Sequence, residues 1–514
     1  MPGIDRDQTI PDTFRTQKEH TTTHCVTPYR QNDQYSRAPA THTWSHPMLP
    51  LRLDPESPLP LVDQIVGGVR QHIEDRLLRP GMRLPPIRGL ADEHHISRFT
   101  VVEAYDRLVA LGYLQSRRGS GFYVAPRPTA SLREHRPGEV ERAFDNAGVL
   151  YQSLEESGDR LKVGVGWLPP EWLDEEGLRR NIRLLARRAD TRVAGYGTAQ
   201  GYAPLREQIS LRLAELGIAA PASQITLTHG ATQALDIVAR TFLCAGDCVL
   251  VDDPGYWNLF ANLRLYGVQL VGVPRTASGP DPEALAELLQ THRPKAFFTH
   301  SVLHNPTSGS LAPANAFRVL QLAEQHDFLI VEDDTYGDLH PGAATRLAQL
   351  DLLRRTIYIG SFSKTLSGCL RVGFFAAAPA LMARLTDVKI VSCVSTSEFS
   401  ERLVYQMLTE GPYRKFVDRV QGRLAMVTEQ TLRLLERCGM RIDTEPKGGM
   451  FVWARTPGIS DATPLARRAA DAGIMLAPGS IFRPQTQPSP WIRFNVAYAT
   501  DPRLERFLGE ALGR

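Results

Sequence analysis

The 514-residue sequence predicts an α/β chain, a large body in which strands alternate with helices and a small helical unit ahead of it. Three observations predict it. Phe328-Leu329-Ile330-Val331 is a continuous apolar run closed by Glu332, Asp333 and Asp334, as at the carboxyl end of a buried parallel strand, where ligands bind. Gln224–Leu227 is strand-like and passes through Gly230 into a helical pattern of Leu235, Val238, Ala239 and Phe242. Leu61, Ile65, Val69, Ile73 and Leu77 recur every four residues and mark one apolar helix face, which Pro80-Gly81 is expected to end.

Residues 1–57 open the chain as a polar stretch with no apolar run long enough for a signal peptide or a membrane span, and are expected to form a disordered extension. After the first helix, Arg83–Arg88 leads to a short helix ending near His94. Ser97-Arg98-Phe99-Thr100 then opens a helix with Val101, Val102, Tyr105, Leu108 and Val109 inward. Gly112–Leu114 and Phe122–Val124 read as two strands around the glycine turn Arg117-Arg118-Gly119-Ser120-Gly121. Residues 58–125 are therefore a winged helix-turn-helix. Ser97 caps the recognition helix; Ser97, Arg98 and Thr100 sit where such a helix meets base edges and phosphates, and Arg88, Arg117 and Arg118 face the nucleic-acid backbone. Charge decides little, because residues 51–125 hold ten arginines and nine acidic side chains; a solvated basic loop on a small helical domain would look similar. Residues 126–160, beginning Pro126-Arg127-Pro128-Thr129, are charged and weakly periodic and read as a linker, leaving 161–514 as the body.

The chemistry concentrates at Gly360-Ser361-Phe362-Ser363-Lys364-Thr365-Leu366, with Arg371 seven positions beyond the lysine. A neutral ε-amine condenses with an aldehyde, and a neighbouring hydroxyl and guanidinium hold a phosphate, so the run reads as a pyridoxal phosphate (PLP) site on Lys364, Ser361 and Arg371. A surface lysine in a loop would look the same locally. Asn305 and Asp333 stand 28 residues apart, with Tyr336 three beyond the aspartate. The acidic run alone also suits a solvated turn or a metal site, yet no histidine or cysteine lies near it in sequence, and no metal is expected. Gly230 lets the backbone approach closely, and the free amides of Ala231 and Thr232 at a helix start point toward an anion.

This pattern resembles the fold-type I aminotransferases. The resemblance implies a large mixed, mostly parallel sheet flanked by helices and a small C-terminal subdomain. It also implies that Asp333 pairs with the pyridine nitrogen of PLP, that Asn305 and Tyr336 hydrogen-bond its 3-oxygen, and that Tyr256, in Asp253-Pro254-Gly255-Tyr256, stacks on its ring. Arg493, in Trp491-Ile492-Arg493-Phe494-Asn495, would grip a carboxylate, although locally it reads equally well as an edge-strand charge. Tyr196, opening the segment Tyr196–Arg206, would reach the phosphate of a neighbouring subunit, so a homodimer is expected. Two departures stand out: Ser308 replaces the glycine of an Asn-Pro-Thr-Gly motif, and Gly368-Cys369 replaces a more typical Pro-Gly, changes expected to alter loop shape near Lys364.

The head resembles the GntR-type DNA-binding domain, and head plus body over roughly 58–514 is similar to the MocR subfamily of bacterial transcriptional regulators. That likeness implies a cytoplasmic regulator that binds double-stranded operator DNA and senses PLP or an amino-acid-like effector. The net charge of +3 decides nothing, and six cysteines without a CxxC pair suit reduced thiols. Cys369, near Lys364, is either a redox-sensitive thiol or, more often, a packed one. Three readings stay open at this level: a PLP-responsive regulator, an active aminotransferase with an accessory DNA-binding head, and a constitutive DNA binder whose body only dimerises.

Overall fold

The computed structural model describes residues 51, 53–54, 57–75, 77–117, 119–125, 154, 159–188, 194–410 and 413–513. Arg118 and most of the 1–57 and 126–160 segments lie outside the described residues. The chain divides into two compact units, residues 1–134 and 135–514. No helix among the described residues is long and apolar enough to cross a membrane.

In the first unit, helices α1 (Leu61–Glu74), α2 (Ile87–Glu93) and α3 (Arg98–Ala110) precede an antiparallel pair, β1 (Leu114–Arg117) and β2 (Gly121–Val124). Ile65, Val69, Leu90, Val101, Ala104, Tyr105 and Leu108 are fully enclosed and form its core. Tyr105 brings a hydroxyl into that core and donates it to the Pro85 carbonyl at 3.0 Å, which satisfies the group where water is excluded. Two expectations are corrected. The first helix stops at Glu74, short of Pro80-Gly81, and Leu77 is 63 % exposed; once the helical period ends, the neighbouring Leu78 turns inward instead. The ordered head also begins before residue 58: Leu51 is buried against Gly68, whose missing side chain makes the room, and Asp54 N donates to Gln64 Oε1 at 2.8 Å.

The second unit is built on an eight-stranded sheet in the order β3-β10-β9-β8-β7-β4-β5-β6. These strands are β3 (Ile225–Thr228), β4 (Cys248–Asp253), β5 (Gln269–Thr276), β6 (Gly279–Pro280), β7 (Pro294–Thr299), β8 (Leu329–Asp333), β9 (Thr356–Ser361) and β10 (Gly373–Ala376). Strands β5, β4, β7, β8 and β9 are parallel; β10 runs antiparallel to both β9 and β3, so β3 points the same way as the parallel set. Successive side chains alternate between faces. Val249, Val251, Phe298 and Val331 pack on the helices Gly230–Phe242 and Pro379–Cys393, whereas Leu250, Phe297 and Ile330 pack on Pro282–Thr291 and Pro313–Gln325. Both faces being covered explains why these strands read as continuous apolar runs. A second, antiparallel sheet, β11 (Phe451–Arg455), β13 (Trp491–Asn495) and β12 (Ala477–Pro478), carries the C-terminal part.

Leu108 is completely buried in the head, so Leu108→Ala should cost about 2 to 5 kcal/mol of unfolding free energy. Chemical denaturation followed by hydrogen exchange at α3 checks this, and a loss well under 1 kcal/mol would show that the head has another core.

Candidate functional site

The parallel strands deliver their last residues to one edge of the sheet, where a crevice forms outside the strand ends. Ala231, Thr232, Tyr256, Asn305, Asp333, Tyr336, Ser361, Lys364 and Arg371 line one pocket there, together with His300, Thr335 and Ser363.

Asp333, the last residue of β8, is 5 % exposed. Its Oδ2 lies 3.3 Å from His300 Nε2, and its Oδ1 accepts from the Thr335 amide at 3.0 Å and the Thr335 hydroxyl at 2.5 Å. Burial pushes its pKa up, but the His300 ring and the Thr335 hydrogen bonds prevail and hold it below the ordinary aspartate value. The flanking acids have other work. Glu332 and Asp334, on the opposite face of the pleat, respectively accept from the Leu347 and Ala348 amides and pair with Arg346 Nε at 2.7 Å. Burial lifts Glu332 to about 7.

Lys364 Nζ donates to the Gly166 carbonyl at 2.8 Å. Burial first, then the nearby Arg493 and Arg371 charges, lower its pKa to about 8, against the opposing pull of Asp333. Arg493, 3 % exposed on β13, donates to Asn305 Oδ1 and to the Gly164 carbonyl, both at 2.6 Å, and its guanidinium lies over the Phe451 and Phe482 rings at 4.4 and 4.8 Å. It has no carboxylate partner among the described residues, and its buried Nε has no hydrogen-bond partner. Burial brings it down to about 10. It is therefore no edge-strand surface charge: β13 is the central strand of its sheet. Tyr336 packs edge-on against Phe451 at 5.4 Å; burial raises its phenol, as it does that of Tyr256.

At the β3 end, Gly230 opens the helix Gly230–Phe242 with φ +75°, and a Cβ there would lie 2.6 Å from Arg371 Nη2. Arg371 itself has φ +51° and donates to the His229 carbonyl at 3.1 Å and Ser363 Oγ at 3.3 Å. Ser361 Oγ accepts from the Ser363 amide at 3.2 Å. Tyr196 is the exception to this convergence, being 85 % exposed in a separate depression beside Ser395–Phe399.

Ser308 takes φ +56°, the left-handed conformation that favours glycine, and its hydroxyl donates to the Phe451 carbonyl at 2.8 Å. The serine thus keeps the glycine-type backbone and gains a bond, contrary to the expected change of loop shape. Cys369 is an exposed free thiol, not a packed one. His300, His304 and Asp252 come together although sequence spacing shows no metal set, but Arg275 Nη1 already sits 2.8 Å from Asp252 Oδ2, supplying the cation.

In the head, Ser97 accepts from the Phe99 amide at 3.1 Å and caps α3. Ser97, Arg98 and Phe99 are exposed at the start of that helix and Thr100 is half-buried. Arg88 is exposed on α2, 3.7 Å from Asp92, and the Arg117 guanidinium lies over the Tyr123 ring at 4.5 Å.

Comparison with known proteins agrees with both halves. Residues 61–124 match the gntR family of bacterial regulatory proteins, and residues 166–510 match aminotransferase class I and II. An uncharacterized HTH-type transcriptional regulator of Bacillus subtilis, YdfD, is 28 % identical over 88 % of this chain and 95 % of its own length. The HTH-type transcriptional regulator TauR of Rhodobacter capsulatus is 30 % identical over 80 % of this chain and 88 % of its own. The chain belongs to the MocR-type regulators. Among solved structures, the MocR-type body is similar to the α-aminoadipate aminotransferase LysN of Thermus thermophilus, solved with N-(5'-phosphopyridoxyl)-L-leucine, with a TM-score of 0.66 and 30 % identity over 73 % of this chain and 98 % of that one.

Sequence reasoning missed His300, Thr335, Ser363 and the glycine carbonyls of Gly164 and Gly166. Ser363 had a signal, its place in the Ser361-x-Ser363-Lys364 run; His300 had none beyond following the apolar strand β7.

A neutral amine is the reactive form, so labelling of Lys364 in PLP-free protein by an amine-specific reagent should switch on as pH rises through about 8. In Arg493→Met the midpoint should move up, because a positive neighbour that disfavours the ammonium is gone. Peptide mass spectrometry reads both; a wild-type midpoint at the ordinary 10.5 would contradict the desolvated setting.

Proposed function

We propose that this MocR-type chain is a transcriptional regulator that binds operator DNA through its head and PLP with an amino-acid-like effector through its body. The observation that carries the reading is the convergence of Lys364, Asp333, Ser361 and Arg371 on one pocket in a chain that also carries a gntR-type head.

The residues fit PLP. Gly230 leaves open the space a Cβ would fill beside Arg371, and the amides of Gly230, Ala231 and Thr232, with Ser361, Ser363 and Arg371, suit its phosphate. Asp333 suits the protonated ring nitrogen, a charge-assisted bond contributing roughly 1.5 to 3 kcal/mol. Asn305 and Tyr336 suit the 3-oxygen, and Tyr256 the ring face. When bound, PLP supplies an aldehyde that captures amines and a ring that withdraws electrons from them. Lys364, whose pKa burial lowers to about 8, would hold the aldehyde end of the cofactor through its amine. Arg493, buried without an anionic partner among the described residues, orients the carboxylate of an amino acid.

Exposed Tyr196, with Val394 at 56 % exposure beside the same depression, supports a second copy packing there. The exposed Arg88, Arg98 and Arg117 support contact with a phosphate backbone. A second reading, an active aminotransferase, is favoured by one observation: Lys364, Asp333 and Arg493 are all in place. Sustained exchange of amino acid with keto acid would select it.

Borohydride treatment of PLP-loaded protein should fix the pyridoxyl group on Lys364, as read by peptide mass spectrometry; attachment elsewhere would sink the assignment. Asp333→Asn should weaken PLP retention and alter its spectrum, because the ring nitrogen loses its anion. In gel-shift titrations across salt, Arg117→Ala should flatten the salt slope by about one unit, whereas loss of a base contact in Arg98→Ala should relax sequence preference by roughly 1 to 3 kcal/mol. Wild-type behaviour of Arg98→Ala would show that α3 does not read the duplex.

A further inference from the structure

A cavity of about 230 Å3 lies in the body between the helices Ala203–Glu215 and Tyr413–Arg437 and the end of β9, and it shares Thr335 and Ser361 with the Lys364 pocket. Its lining includes the apolar side chains of Phe362, Phe374 and Val417 among polar and charged ones. Most of its charges are matched: Arg212 to Asp338 at 2.9 Å, Arg414 to Glu215 at 2.9 Å, and Asp334 to Arg346 at 2.7 Å. Asp418 on the rim has no ion pair among the described residues, and Asp334 Oδ1, on a residue only 6 % exposed, has no hydrogen-bond partner. Four carboxylates against three guanidiniums leave one surplus negative charge in a lining that includes the Phe362 and Phe374 rings. The lining also holds Tyr413, whose ring carries the Arg212 guanidinium 5.0 Å from its centre.

The cavity is also wired to the lysine. Tyr413 Oη lies 2.6 Å from Asp338 Oδ2 and 2.8 Å from Thr365 Oγ1. Having one proton, Tyr413 can donate to the Asp338 carboxylate or to the hydroxyl of Thr365, the residue next to Lys364, but not to both at once. A ligand that competes for Asp338 changes what Tyr413 and Thr365 can do.

We propose that this cavity is a second ligand site, selective for a small organic monocation with an apolar body, and that its occupancy reaches Lys364 through Asp338, Tyr413 and Thr365. The coupling half rests on PLP binding at Lys364; the binding half does not.

Phenyltrimethylammonium is a suitable probe, because it has no N–H and cannot condense with a carbonyl. Calorimetric titration into the full chain should give one saturable site. Asp418→Lys, an exposed change, and Asp338→Asn should each weaken binding about tenfold or more, while Lys364→Ala leaves it unchanged. No saturable binding, binding indifferent to both carboxylate variants, or binding lost only in Lys364→Ala would overturn the site. For the coupling, saturating probe should shift PLP affinity, and PLP should shift probe affinity by the same factor, about fivefold or more. Tyr413→Phe should bind both and lose the shift; a wild-type shift of zero would overturn the coupling. PLP that fails to bind without the probe would refute the Lys364 reading and leave the calorimetric result standing.

Discussion

The body depends on keeping one carboxylate ionised where water is excluded. A buried aspartate alone would take up a proton, and Asp333 escapes this only because β7 ends beside it with His300 and the chain turns so that Thr335 donates twice. That arrangement follows from the parallel register of β7 and β8, which sets Thr299 opposite Glu332 and so brings the following residues together. Burial first, then the Arg493 and Arg371 charges, hold Lys364 down to about 8 against the opposing pull of Asp333. The pocket is electrostatically prepared for a group carrying a cationic ring nitrogen at one end and anions at the other.

Much of the site was legible in the sequence because its chemistry demands particular residue types at strand ends, and strand ends are marked by apolar runs. Lys364, Asp333, Asn305, Tyr336 and Gly230 could be read in this way. His300 could not: it is one of fourteen histidines, and only strand register brings it to Asp333. The same limit applies to Arg493, ambiguous in its local sequence and decided by burial and by its central strand. Among Glu332, Asp333 and Asp334, the pleat sorts one residue into the pocket and two behind it, which composition cannot do. In the head the helical period of α1 was clear, but its end was not, because Leu77 and Leu78 fit the apolar pattern about equally well and packing chose the second. Leu51 shows the converse, a residue in a polar stretch recruited by the empty side of Gly68.

Arg493 carries the strongest sign that the body still takes a small molecule. A guanidinium that is 3 % exposed and, among the described residues, has no carboxylate and leaves Nε without a partner is costly to maintain unless something anionic arrives. A body kept only to dimerise the head would have no need of it. Linkage then requires that any difference in operator affinity between liganded and ligand-free body be mirrored in ligand affinity.

Operator affinity of the full chain, measured at one salt concentration without PLP, with PLP, and with PLP plus an amino acid, tests the sensor account most directly. The account predicts affinities that differ by about 5- to 150-fold between at least two of these states. Equal affinity in all three would contradict it and leave the body as a dimerising scaffold.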